Sequence, residues 1–137
     1  MRLVLDTNTL VSGALWHGAP HLLLEAARDQ RFTLCTCHDI LLELLCVLNR
    51  PKFTARLKLT SITPRKIIKE YLRLAVMIQP PVIIPKISRD PTDDIVVACA
   101  LQAGAYAVVS GDKDLLILKS YQGIHIIDPV SALQRLP

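Results

Sequence analysis

Strands alternating with helices along one short chain predict a three-layer α/β domain with a mainly parallel sheet of about five strands. Three observations carry that expectation. Short unbroken apolar runs recur at Arg2–Asp6, Tyr106–Ser110 and Ile124–Ile127, as buried parallel strands require. Helical periodicity fills the segments between them. Helix punctuation recurs as well, with Asp90-Pro91 and Asp128-Pro129 as openings and Gly104 as a closing residue.

In chain order, Arg2–Asp6 reads as the first strand. Residues 20–31 read as a helix, with Leu22, Leu23, Ala26 and Ala27 on one face and Glu25, Arg28 and Asp29 opposite. Residues 32–37 form the second strand by their β-branched and aromatic content. A strongly apolar helix then starts at His38 or Asp39 and stops near Asn49-Arg50-Pro51. A linker and short helix follow, and Thr63-Pro64 opens a helix to about Met77. Val82–Ile84 reads as the third strand, residues 91–103 as a helix and residues 106–110 as the fourth strand. Asp112–Leu118 supplies a helical turn or two, Ile124–Ile127 the fifth strand, and a short helix ends the chain.

At 137 residues the chain is one domain, residues 1–137, large enough to bury a real core. Its 51% hydrophobic content and mean hydropathy of +0.37 are high, yet no apolar stretch reaches the roughly 20 residues of a membrane span. Met1-Arg2 runs straight into a strand without the apolar core of a signal peptide, so a cytoplasmic location is expected. Cys35 and Cys37 lack zinc-knuckle spacing, Cys46 and Cys99 lie in helical apolar runs, and all four are expected as free buried thiols. No G-x-S-x-G elbow, P-loop or G-x-G-x-x-G occurs.

The net charge of +4 is unevenly spread. Eight of the 16 basic residues lie between Arg50 and Arg73, against the single acid Glu70. Arg50, Lys52, Arg65, Lys66 and Lys69 are candidates for contact with a nucleic-acid backbone, a solvated helix face being the alternative. Trp16 and the loop 13–20 are candidates for an interface, or for ordinary packing.

Acids placed beside apolar segments carry the chemistry. Asp6 ends the first strand, where open parallel sheets bind ligands, and Thr7 and Asn8 add oxygen donors; a helix N-cap is the competing role. Glu43 is the only charge between Ile40 and Leu48, and a stripe-edge ion pair with Arg50 is its alternative. Asp90 is the natural N-cap of its helix, and Asp93 sits at N3 like the second half of a capping box. That leaves Asp94 without a cap role and favours it as the site acid. Asp112 follows a strand through Ser110-Gly111 and can also cap the next helix, with Asp114 in its first turn.

Two carboxylates about 5 Å apart repel by roughly 3 kcal/mol at an effective dielectric near 20. Several in one pocket therefore need a proton or a cation. With oxygen donors only, Mg²⁺ or Mn²⁺ is the natural occupant. His17, His21, His38 and His125 show no ligand spacing.

Leu5-Asp6-Thr7-Asn8, the helical Glu43, Arg89-Asp90-Pro91-x-Asp93-Asp94 and Ser110-Gly111-Asp112-Lys113-Asp114-Leu115 together resemble a PIN domain. The likeness extends over nearly the whole chain and is nearest the VapC-like ribonucleases, toxins of toxin–antitoxin pairs. It implies an α/β/α sandwich and Mg²⁺- or Mn²⁺-dependent cleavage of RNA. It also implies an antitoxin partner, a homodimer and no membrane association. The four family acids fall on Asp6, Glu43, Asp94 and Asp112. Asp6, Asp94 and Asp112 are the implied metal ligands, Glu43, Asp93 and Asp114 accessory ones, and Thr7, Asn8 and Ser110 supporting groups. A PIN-type nuclease of RNA processing or DNA repair, and a non-catalytic RNA- or partner-binding module, are the alternatives.

Overall fold

The computed structural model describes residues 1–81 and 84–137. The elements run β1 (Arg2–Leu5), α1 (Thr7–Leu15), α2 (Ala19–Arg28), β2 (Thr33–Thr36) and α3 (His38–Leu48). A 3-10 turn (Pro51–Phe53), α4 (Thr54–Thr60), α5 (Pro64–Leu74), β3 (Ala75–Met77) and α6 (Pro91–Ala103) follow. The chain ends with β4 (Ala107–Val109), α7 (Lys113–Leu116), β5 (Ser120–Tyr121), β6 (Ile124–Ile127) and α8 (Pro129–Arg135).

The sheet order is β3-β2-β1-β4-β6-β5, parallel except for the β5–β6 pair. The connections β1→β2 and β2→β3 step one way, and β3→β4 and β4→β6 step the other. Right-handed crossovers then place α1–α5 on one face and α6 on the opposite one, giving the α/β/α sandwich. The helix α6 packs on β1, β2 and β4, while α8 packs against α2. Between the layers, Leu3, Val4 and Leu5 of β1 and Ala107, Val108 and Val109 of β4 are fully buried. No helix among the described residues is long and apolar enough to cross a membrane.

Several local expectations are corrected or extended. Residues 7–15, which the sequence left without an assigned element, are a helix: Leu10, Val11 and Leu15 bury one side of it. Gly13 obscures that helix in the sequence, but a Cβ there would meet Leu24 Cδ1 at 2.8 Å and Pro20 O at 2.9 Å. Its absence lets α1 lie close against α2. The helix opened by Pro64 ends at Leu74, where Ala75 turns extended and pairs with Leu34 of β2. A short apolar run continuing a helical one cannot be assigned by periodicity alone. Of the strand expected at Val82–Ile84, residues 82 and 83 lie outside the described ones, and Ile84 belongs to no strand. A sixth strand, β5, returns on β6 through Gln122 (φ 46°) and Gly123 (φ 84°), a turn requiring the left-handed region. Finally, Cys35, Cys37 and Cys99 are buried free thiols, but Cys46 is exposed.

Candidate active site

The sheet reverses its winding between β1 and β4, so their carboxyl ends open a crevice between helices of opposite faces. Asp6 and Ser110 are the residues that leave the two strands there. The Asp6 amide donates to Val109 O at 3.1 Å, and the Ser110 amide to Ile127 O at 3.0 Å. Both side chains are buried. Asp6 is the N-cap of α1, its Oδ1 accepting from the Thr9 amide at 2.9 Å, while its Oδ2 accepts from the Ser110 hydroxyl. Ser110 Oγ in turn accepts from the Asp112 amide at 3.0 Å. Asp6 thus fills its cap role while lying buried at the strand ends.

Asp112 caps α7, with its Oδ1 accepting from the Asp114 amide at 2.9 Å. It is half-buried, whereas Asp114 is exposed. From α3, the half-buried Glu43 accepts the Thr7 hydroxyl at 2.8 Å through Oε2. Thr7 therefore ties the α3 carboxylate to the start of α1. The ion pair between Glu43 and Arg50 is not formed; among the described residues the ion pairs are His21–Glu25 and Glu70–Arg73. Asn8 is exposed on the first turn of α1.

Asp93 and Asp94 are placed differently from the capping-box expectation. Asp90 caps α6 by accepting from the Thr92 amide at 3.0 Å, but its own amide donates to Ser88 Oγ, not to Asp93. No capping box forms, and Asp93 is free to face the crevice. Its carboxyl lies near enough to Asp112 and Asp6 to feel their charge, and its Oδ2 accepts from the Ser88 hydroxyl at 3.4 Å. The Asp94 Oδ1 instead accepts from the Ile87 and Ser88 amides at 2.9 and 2.8 Å. Asp94 is the anchor of the segment that leads into α6. Sequence periodicity could not separate the two, because α6 is buried nearly all round, from Asp93 and Asp94 through Ala100.

Electrostatics single out the same residue. Burial, followed by the facing Asp112 carboxylate and by Asp90 and Asp6, pushes the Asp93 carboxyl up to about 7. Burial also raises the Asp6 carboxyl, against the lowering effect of its bonds to Ser110 and Thr9, and Asp112 adds to the rise. Like charges are held together here by the fold. Among the described residues, no three His, Cys, Asp or Glu side chains close into a metal cage. The oxygen donors nevertheless suit a hard divalent cation that keeps several waters and takes one or two carboxylates from the protein, as Mg²⁺ does.

The basic candidates lie elsewhere. Arg50, Lys52, Arg65, Lys66 and Lys69 are all exposed. Lys66 and Lys69 rim an apolar groove of about 510 Å³ between α1, α2 and α5, floored by residues such as Leu10, Leu24 and Ile67. This groove contains none of the crevice acids.

Comparison with known proteins agrees with this architecture. A solved structure of VapBC2 from Rickettsia felis, bound to a DNA fragment from their promoter, contains a chain similar to this one. The match has a TM-score of 0.63 at 15% identity and covers 93% of this chain and 98% of that one. No curated protein matches the chain. A family model described as PIN domain matches residues 2–114, a span that includes β1, α3, α6 and β4 with all the crevice acids. The chain belongs to the PIN-domain family, whose members are generally nucleases that use divalent metal ions.

Proposed function

We propose that this PIN domain is a Mg²⁺- or Mn²⁺-dependent endoribonuclease and the toxin of a toxin–antitoxin pair, acting in the cytoplasm. The observation that carries the reading is the crevice at the β1–β4 switch point. There, Asp6, Asp93 and Asp112 come from three separate elements, with Glu43 held beside them by Thr7. The fold shared with VapBC2 supports the toxin assignment.

In this reading Asp6, Asp93 and Asp112 hold the cation, directly or through water. The bound ion supplies Lewis-acid polarisation of a phosphodiester and a more acidic water. The chain does the positioning. Ser110 and the Thr9 amide fix both oxygens of Asp6, so its carboxylate needs no reorganisation when substrate arrives. Glu43 spends one oxygen on Thr7 and keeps the other to orient the attacking water or accept its proton. Asp94 keeps a structural role in placing the start of α6, and Asp114 remains an outer, exposed acid.

The same reading gives the chain an antitoxin partner, and the apolar groove with its cationic rim offers a seat for a segment carrying apolar and acidic side chains. Self-association belongs to it too. The edge strand β3 leaves Val76 and Met77 exposed, and α3 leaves Leu42 and Leu45 exposed. The test is cleavage of single-stranded RNA by the purified chain with added Mn²⁺. Cleavage that stops on chelation and in Asp6→Asn supports the assignment; undiminished cleavage by that variant overturns it.

A further inference from the structure

The chain has one tryptophan, and the fold leaves it on the surface. Trp16 follows the last residue of α1 and is 44% exposed, although a packing role alone would bury such a large ring. Its indole meets the half-buried Phe53 edge to face, with ring centroids 6.1 Å apart at 66°. Two cations flank the pair. The Arg56 guanidinium lies 5.3 Å from the Trp16 ring centre, and Lys52 Nζ lies 5.0 Å from that of Phe53. Arg56 is fixed in place, its Nε donating to Leu15 O at 2.7 Å. An exposed indole with a fixed guanidinium over its ring and a second cation beside its aromatic neighbour is the chemistry that stacks a nucleic-acid base and holds the adjoining phosphate.

A second observation links this cluster to the crevice. Within α1 only Asn8 and Ser12 are exposed. Four residues apart, they share one stripe, which carries no charge and leads towards Trp16. From Asn8 to Trp16 the helical rise is about 12 Å. Beyond Asn8, a strand held at the crevice can therefore follow exposed positions of α1 that carry no acid to the aromatic pair.

We propose that Trp16, backed by Phe53 and flanked by Lys52 and Arg56, is a stacking platform for an unpaired base of single-stranded RNA entering the crevice along Asn8 and Ser12. The proposal rests on the ribonuclease reading and adds a substrate subsite to it. Stacking selects for single-strandedness and tolerates any base, because every base has a π face. Sequence choice is therefore not made at this end of the substrate.

Trp16 is also its own reporter, being the only indole in the chain. The full chain, with divalent metal chelated to prevent cleavage, is titrated with a single-stranded RNA oligonucleotide of about ten residues. Saturable quenching of tryptophan emission is expected, and little quenching by the same RNA annealed to its complement. With fluorescently labelled RNA, Trp16→Leu should bind roughly 10-fold more weakly and Trp16→Phe should recover most of the loss. Lys52→Ala, at an exposed position that does not threaten folding, should weaken binding and lower its salt slope by about one. Unchanged emission at saturation, or equal affinity of Trp16→Leu and the unsubstituted chain, would overturn the platform. If the unsubstituted chain binds and cleaves RNA in those cases, only the platform falls. If it neither binds nor cleaves RNA, the nuclease reading falls with it. Loss of a partner protein in Trp16→Leu with RNA binding intact would reassign the cluster to a protein interface and overturn the proposal.

Discussion

The carboxyl ends of β1 and β4 and the basic segment from Arg50 to Arg73 are built on opposite principles. At the strand ends, Asp6 and Asp93 are buried, like charges face one another, and Asp6, Glu43 and Asp112 each accept a hydrogen bond from a helix. In the basic segment α4 buries no residue, α5 buries only Tyr71, and the one ion pair is Glu70–Arg73. The first region spends stability on a geometry, as a site for a cation and a reaction must. The second keeps its charges hydrated and available, as a surface that meets a polyanion does. Position along the strands, more than charge, separates a candidate site from a candidate landing surface.

The comparison breaks first at the acids. Asp6→Asn should lower metal-dependent RNA cleavage by about 100-fold or more, since changes to outer-shell groups alone cost 10–100-fold; initial rates at fixed Mn²⁺ measure it. Asp93→Asn should lose cleavage comparably yet leave the fold intact or firmer, because it removes a repelled charge. Asp94→Ala should do the reverse and destabilise the chain by about 1.5–3 kcal/mol, the worth of hydrogen bonds to a charged group. Denaturant melts of the two variants, run beside cleavage assays, give that contrast.

Next comes pH. Asp93 titrates near 7 in the fold but near the ordinary carboxylate value when unfolded, so between those values the native state binds the extra proton. Stability of the metal-free chain should accordingly be highest in this respect below about pH 4 and fall as pH rises to about 7. The loss should be on the order of 2–4 kcal/mol, and Asp93→Asn should flatten it. Mn²⁺ should restore stability above pH 7 and release protons on binding below it. A melt series across pH in chelator that shows no difference between the chain and Asp93→Asn would contradict the repulsion. The smallest effect is expected at the surface. Lys66→Ala with Lys69→Ala should weaken RNA binding modestly and reduce its salt slope by about two, leaving stability unchanged. An unaltered slope would return these lysines to the rim of the apolar groove alone.

The sequence discloses the two regions unequally. Strand-end acids were readable because Asp6 and Asp112 follow short apolar runs, and the termini of α6 because Asp90-Pro91 and Gly104 punctuate it. The helix after Asp6 was masked by a glycine kept for close packing, and β3 by apolar residues that prolong the pattern of α5. The choice between Asp93 and Asp94 was out of reach for a specific reason. In a helix buried on almost every side, adjacent residues carry no amphipathic signature, and only the backbone of Ile87 and Ser88, just ahead of the Arg89–Asp94 motif, claims Asp94. Likewise, nothing in the spacing of Trp16, Lys52, Phe53 and Arg56 announces that they meet.

The division of roles proposed for those two neighbours reduces to a single contrast. Mn²⁺ titrated calorimetrically at pH 7.5 into the chain, Asp93→Asn and Asp94→Asn, each paired with an RNA-cleavage rate, tests it directly. Asp93→Asn should lose both metal binding and cleavage, while Asp94→Asn, still folded, keeps both. Retention by Asp93→Asn with loss in a folded Asp94→Asn would contradict it.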